Sequence, residues 1–155
     1  MTRLAPDYGP AWLKRMLEAE IPLAHHLAVE VERADDAAIK LCAPLAPNRN
    51  HCGTAFGGSL FSLAVLTGWA WTTRYLALHG FEADALIQES SIRYLLPARG
   101  ALEARLIAPT APTVEKFRRM LERAGRGRIR LAAEVHVART AVARFEGLFV
   151  ATQKG

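Results

Sequence analysis

The chain has little with which cysteine or metal chemistry could organise it. Of its 155 residues only two are cysteines, Cys42 and Cys52, too few to staple a chain of this length with disulfides. No second Cys or His pair at ligand spacing accompanies the adjacent His51 and Cys52, so no metal site is expected. His25-His26 reads as a cap on the first strand rather than as a ligand pair. There is no phosphate loop and no dinucleotide fingerprint, and no cofactor is expected. No apolar run of signal-peptide length precedes the charges at Lys14 and Arg15, which makes a reducing cytoplasm the expected setting. Repeats, low-complexity tracts and linkers are also missing. The length suits one hydrophobic core, hence a single domain over residues 1–155.

A second absence is local. No charged residue occurs between Cys52 and Thr73. A membrane helix needs roughly 20 predominantly apolar residues, but the strongly apolar part here, Leu60 to Trp71, is shorter and glycines interrupt the rest. A helix apolar on nearly every side is expected instead to be buried at the centre of the fold. Charge of one sign is scarcer elsewhere: 20 Lys plus Arg stand against 15 Asp plus Glu, a net charge of +5. Lys116, Arg118, Arg119, Arg123, Arg126, Arg128 and Arg130 crowd one region. Such a cluster suits a solvated helix face, a nucleic acid, an anionic surface or a phosphorylated ligand or carrier. With no nucleic-acid recognition motif, neither nucleic acid nor membrane is expected as a partner.

Hydrophobic periodicity supplies the elements. Trp12, Leu13, Met16 and Leu17 place a short helix over 10–20. Leu27, Val29 and Val31 alternate with polar neighbours as a first strand, and Asp35-Asp36 turns the chain into a second at Ile39, Leu41 and Ala43. Pro44, Pro47, Asn48 and Asn50 mark an irregular connection. A long helix follows from about Gly58 to Leu78, with Gly80 as its stop signal. Strands are expected over 85–96 and 102–108, a helix over 113–124, then strands from Ile129 to Val137 and from about Val142 to Thr152. The order predicts an α+β fold: a mostly antiparallel six-stranded sheet curled around the long helix.

Gly57 and Gly58 sit where the irregular loop becomes that helix. They either permit a tight turn or leave the helix N-terminus open to a ligand. Its unpaired N–H groups and partial positive charge suit the carbonyl oxygen of a thioester.

The segment NHCGTAFGGSLFSLA, residues 50–64, resembles the signature N-x-x-G-x-x-H-G-G of hotdog-fold acyl-CoA thioesterases of the phenylacetate type, matched at Asn50, Gly53, Gly57 and Gly58. The nearer resemblance is to the thioesterase-like domain of the YiiD C-terminal type, through PNRNHCGTAFGGSL, Gly68-Trp69, SSIRYLLP, GRIRLAAEVHV and ARFEGLFVA, from about residue 20 to 152. It implies a hotdog fold, an antiparallel sheet wrapped around a central helix, and a homodimer that can pair into a tetramer. Sites at the interface would hydrolyse an acyl-CoA or acyl-carrier-protein thioester. Asn50 would position thioester or water and the Gly58 N–H would polarise the carbonyl, with Asn48, Phe56, Gly57 and Ser59 lining the substrate site. Two departures stand out. Phe56 replaces the histidine, and Val65 occupies the position of the usual acid. The central helix carries no carboxylate from Gly58 to Gly80, so the base is sought in His51 or in Glu89. A non-catalytic acyl-thioester-binding module is the alternative.

Overall fold

The computed structural model describes residues 6–155. Pro10 starts helix α1 (Pro10–Glu20), where proline's missing N–H has no intrahelical role, and Leu13 and Leu17 bury its inner face. Pro22 then starts a helix that periodicity did not indicate, α2 (Pro22–His26). It holds His25 and His26, and Leu27 ends it rather than opening a strand. Ala28 takes a positive φ of 55° and redirects the chain, so β1 spans Glu30–Ala34, later than the alternation suggested.

The Asp35 side chain closes the next turn by accepting the N–H groups of Ala37 and Ala38 at 2.8 and 2.9 Å. Strand β2 (Ile39–Ala43) follows, then a short turn of helix over Ala46–Asn48. The central helix α3 covers Gly57–Leu78. The remaining elements are β3 (Ala83–Tyr94), β4 (Leu102–Ile107), α4 (Ala111–Ala124), β5 (Arg126–Val137) and β6 (Thr140–Gln153).

All six strands form one sheet in the order β1-β2-β4-β5-β6-β3, each pair antiparallel. Its inner face carries Leu41, Ala104, Ile129, Leu131, Phe145 and Phe149, all at most 2% exposed, and covers α3. Gly68 lets α3 approach the sheet closely: a Cβ there would lie 2.4 Å from the buried ring of Phe149. Two hydroxyls buried in α3 are satisfied within the helix, Thr67 by Leu63 C=O and Thr72 by Gly68 C=O, as buried polar groups require.

The two edges of the sheet differ. Strand β1 has five residues and a register break between Val31 and Arg33. Lys14 of α1 lies over it, donating to Val29 C=O at 2.6 Å and pairing with Glu30 at 3.0 Å. Strand β3 has twelve residues, pairs only with β6 among the described residues, and leaves Leu86 70% and Tyr94 51% exposed.

Candidate active site

The loop before α3 is built by its own side chains. The Asn50 side-chain oxygen accepts the N–H groups of Cys52 and Thr54, while its amide donates to Thr54 Oγ1. Gly53 supplies the left-handed residue this turn needs, at φ 75°. Asn50 therefore shapes the loop, and both ends of its side chain are engaged there. Asn48 is 1% exposed. Its amide donates to the carbonyls of Leu27 and Pro44, tying the loop to the end of α2, while its buried side-chain oxygen has no partner among the described residues. The loop is pinned on both sides of its turn. Phe56 N–H donates to Asn48 C=O at 2.7 Å and Ala55 N–H to Ala98 C=O at 2.8 Å.

Phe56 is the residue before α3 and caps nothing with its side chain; no acid lies in the first turn. The N–H groups of Ser59 and Leu60 both donate to Phe56 C=O. Those of Gly57 and Gly58 donate to no acceptor among the described residues. Two free donors and the positive end of a 22-residue helix thus point out of the fold.

An aromatic ring flanks each glycine. A Cβ on Gly58 would lie 2.4 Å from the Phe56 ring, and one on Gly57 would lie 3.3 Å from the Tyr94 ring. Tyr94 also donates its hydroxyl hydrogen to Gly57 C=O at 2.9 Å. Apolar walls beside backbone donors lower the local dielectric and strengthen their pull on a carbonyl oxygen. Ser59 lies nearly buried in the first turn, 9% exposed. His51 is exposed in the turn that Asn50 closes.

Tyr94 is the site residue that sequence reasoning missed. It lies within SSIRYLLP, but its contact with Gly57 spans 37 positions. Val65 contributes to an open groove of about 640 Å³ along α3, with Phe61, Leu66 and Trp69 on one wall and Leu86 and Ile87 on another; Met16 and Ile21 reach over it. A smaller hollow of about 370 Å³ lies beside Gly57, bordered by Thr54, Leu60, Tyr94 and Leu96.

Glu89 is not brought to the glycines. Ile87 pairs with Phe149, but Glu89 pairs with Leu148, so Gln88 is an extra residue in the strand. Such a bulge turns the following side chains over. Glu89 shares the outer face of the sheet with Leu148, while Gly147, Phe145 and Phe149 belong to the face that packs on α3.

The basic cluster divides in two. On α4, Arg118 pairs with Glu115 and Glu122, and Arg119 pairs with Glu115. These guanidinium groups hold the Glu115 carboxyl down at about 2. Arg126, Arg128 and Arg130 alternate along β5 onto its exposed outer face.

Among the described residues one group of possible metal ligands is present, Glu32, Cys42 and Glu103 on the outer face. The Lys40 ammonium bridges the two carboxylates at 2.9 Å each. Burial, with Glu32 beside it, pushes the Cys42 thiol up to about 12, so the thiolate a metal needs is disfavoured.

A sheet curled around one long helix, with an open helix N-terminus at its end, defines a hotdog-type α+β fold. The chain belongs to the YiiD C-terminal family: the family model described as "Putative thioesterase (yiiD_Cterm)" matches residues 11–153. A structure from Chlorobaculum tepidum, a protein of unknown function, is similar over 94% of both chains at 26% identity and TM-score 0.87. One from Shewanella oneidensis, described as a putative thioesterase, is 26% identical with TM-score 0.83, over 92% of this chain and 96% of that one. A protein from Pseudomonas aeruginosa described as a probable thioesterase has TM-score 0.75 at 24% identity, over 94% and 97% of the two chains, and supports the fold. Among the described residues, no helix is long and apolar enough to cross a membrane.

Proposed function

We propose that the chain hydrolyses acyl thioesters of coenzyme A or of an acyl-carrier protein, holding the thioester carbonyl against the N–H groups of Gly57 and Gly58. Those two unpartnered donors carry the reading. Water attacks the carbonyl carbon and the oxygen takes up negative charge at the helix end. The C–S bond then breaks, releasing a carboxylic acid and a thiol. Fixed donors aimed at such an oxyanion are worth about 10²–10³ in kcat each. Asn50 acts by holding the loop, and His51 is the remaining candidate to accept the proton of the water, since Glu89 faces away. The groove beside Val65 receives the acyl chain, each methylene adding about 0.8 kcal/mol on burial.

The site is completed by a second copy paired along β3. A long edge strand with exposed apolar side chains favours strand pairing, and antiparallel pairing of two β3 strands sets the Leu86 end of one beside the Tyr94 end of the other. The Arg126, Arg128 and Arg130 row would lie on the outer face of the paired sheet, opposite the side that carries the helix starts. The free thiols of Cys42 and Cys52 fit a reducing cytoplasm.

The test is incubation with saturated acyl-CoAs of increasing chain length, reading thiol release with a disulfide reagent and mass by light scattering. Turnover by a dimer, rising with chain length until the groove is full, is expected. Binding with no thiol release above the buffer background overturns hydrolysis in favour of a binding module. That second reading is favoured by Val65 in the acid's place and by the outward Glu89.

A further inference from the structure

The Tyr94 hydroxyl reaches the peptide unit that matters most to the proposed reaction. It donates to Gly57 C=O at 2.9 Å, and that carbonyl and the Gly58 N–H belong to one planar, resonance-coupled peptide group. A hydrogen bond accepted at the oxygen draws electron density from the nitrogen and makes its N–H a stronger donor. The ring also lies against Gly57, where a side chain would meet it at 3.3 Å, which fixes the plane of the same peptide.

We propose that Tyr94 is a positioning residue that strengthens and aims the Gly58 N–H by hydrogen-bonding the carbonyl of the same peptide unit. The proposal rests on the thioesterase reading above. It gives a role to the SSIRYLLP segment, and it places the control of the site on β3, across from the helix that carries the donors. In this role the Tyr94 hydroxyl acts through the backbone and takes no part in the bonds made or broken.

Tyr94→Phe removes only the hydroxyl and keeps the ring on Gly57. Cooperative strengthening of roughly 10–30% per bond, acting on a donor worth about 10²–10³, gives an expected fall in kcat of about two- to eightfold with KM unchanged. Mono- and difluorotyrosine at the same position, whose hydroxyls donate more strongly, should raise kcat in the order of their acidity. A peg that merely held the helix start would show no such order.

The direct readout is the carbonyl stretch of a carbon-13-labelled methylene-ketone analogue of an acyl-CoA, in which CH2 replaces the sulfur. Its band should move to lower frequency on binding the wild-type protein and move less on binding Tyr94→Phe. Equal bands and equal kcat in the two proteins overturn the role of Tyr94 while leaving the thioesterase reading intact. A wild-type protein that neither releases thiol nor shifts the band overturns that reading, and the Tyr94 proposal with it.

Discussion

The two ends of α3 are treated in opposite ways. At the C-terminal end the helix is held by several contacts. Trp71 stacks on Tyr75 at 5.1 Å, Tyr75 contacts Phe117 at 5.6 Å and His79 at 4.3 Å. Arg74 donates to Tyr8 C=O and pairs with Asp36. The last carbonyls are taken up by His79, Gly80 and Phe81, with Gly80 at φ 69°. At the N-terminal end no side chain caps the helix, two donors are free, and the nearest rings are half-exposed. One helix is anchored at its far end so that the near end can stay unsatisfied and still hold its place.

The largest expected effect comes from removing a donor at the open end. Proline is tolerated in a first helical turn, so Gly58→Pro should keep the fold while lowering kcat about 10²–10³-fold, measured by thiol release against a circular-dichroism control. Next is a pair of equal substitutions that the comparison separates. Alanine at Gly68 would press on Phe149, which is 0% exposed and has nowhere to go; overpacking of this kind costs about 1–3 kcal/mol. Alanine at Gly58 meets an equally close ring, Phe56, which is 59% exposed and can swing away. Urea unfolding should show the first loss and a change within about 0.5 kcal/mol for the second.

A smaller loss, about 1 kcal/mol, is expected for Arg74→Ala in the same assay, with kcat kept within twofold or so. The smallest effect concerns pH. Glu115 is held from the usual 4.5 down to about 2 by Arg118 and Arg119. A depressed carboxyl contributes stability above its unfolded value and loses it as pH falls through the folded one. The protection factors of the α4 backbone amides, with each rate taken relative to the unfolded chain at the same pH, should therefore fall between about pH 4.5 and 2. Arg118→Gln should weaken that response.

Much of this was legible in the chain itself. The alternation from Ile129 to Val137 and the uncharged run from Cys52 to Thr73 placed β5 and α3, because each pattern reports burial directly. The first strand was misplaced because Pro22 starts α2 and Ala28 turns the chain left-handed, and neither leaves a periodic mark. The glycines stood out by adjacency; Tyr94 did not, since only the return of β3 along α3 brings it to Gly57. Glu89 shows the sharper limit. Counting by twos from the inward Ile87 turns it inward, and one inserted residue, Gln88, reverses it. A bulge costs a single position in the sequence and inverts a whole face.

The unequal edges of the sheet also bear on the proposed pairing of two copies. Strand β1 is short, broken in register and overlaid by Lys14, whereas β3 is long and bare. Among the described residues one edge is receptive, which gives a valence of one: the proposed β3-to-β3 pair would consume the open strand of each copy, and growth by strand addition would terminate at two. The asymmetry would keep a sheet protein from becoming a fibre.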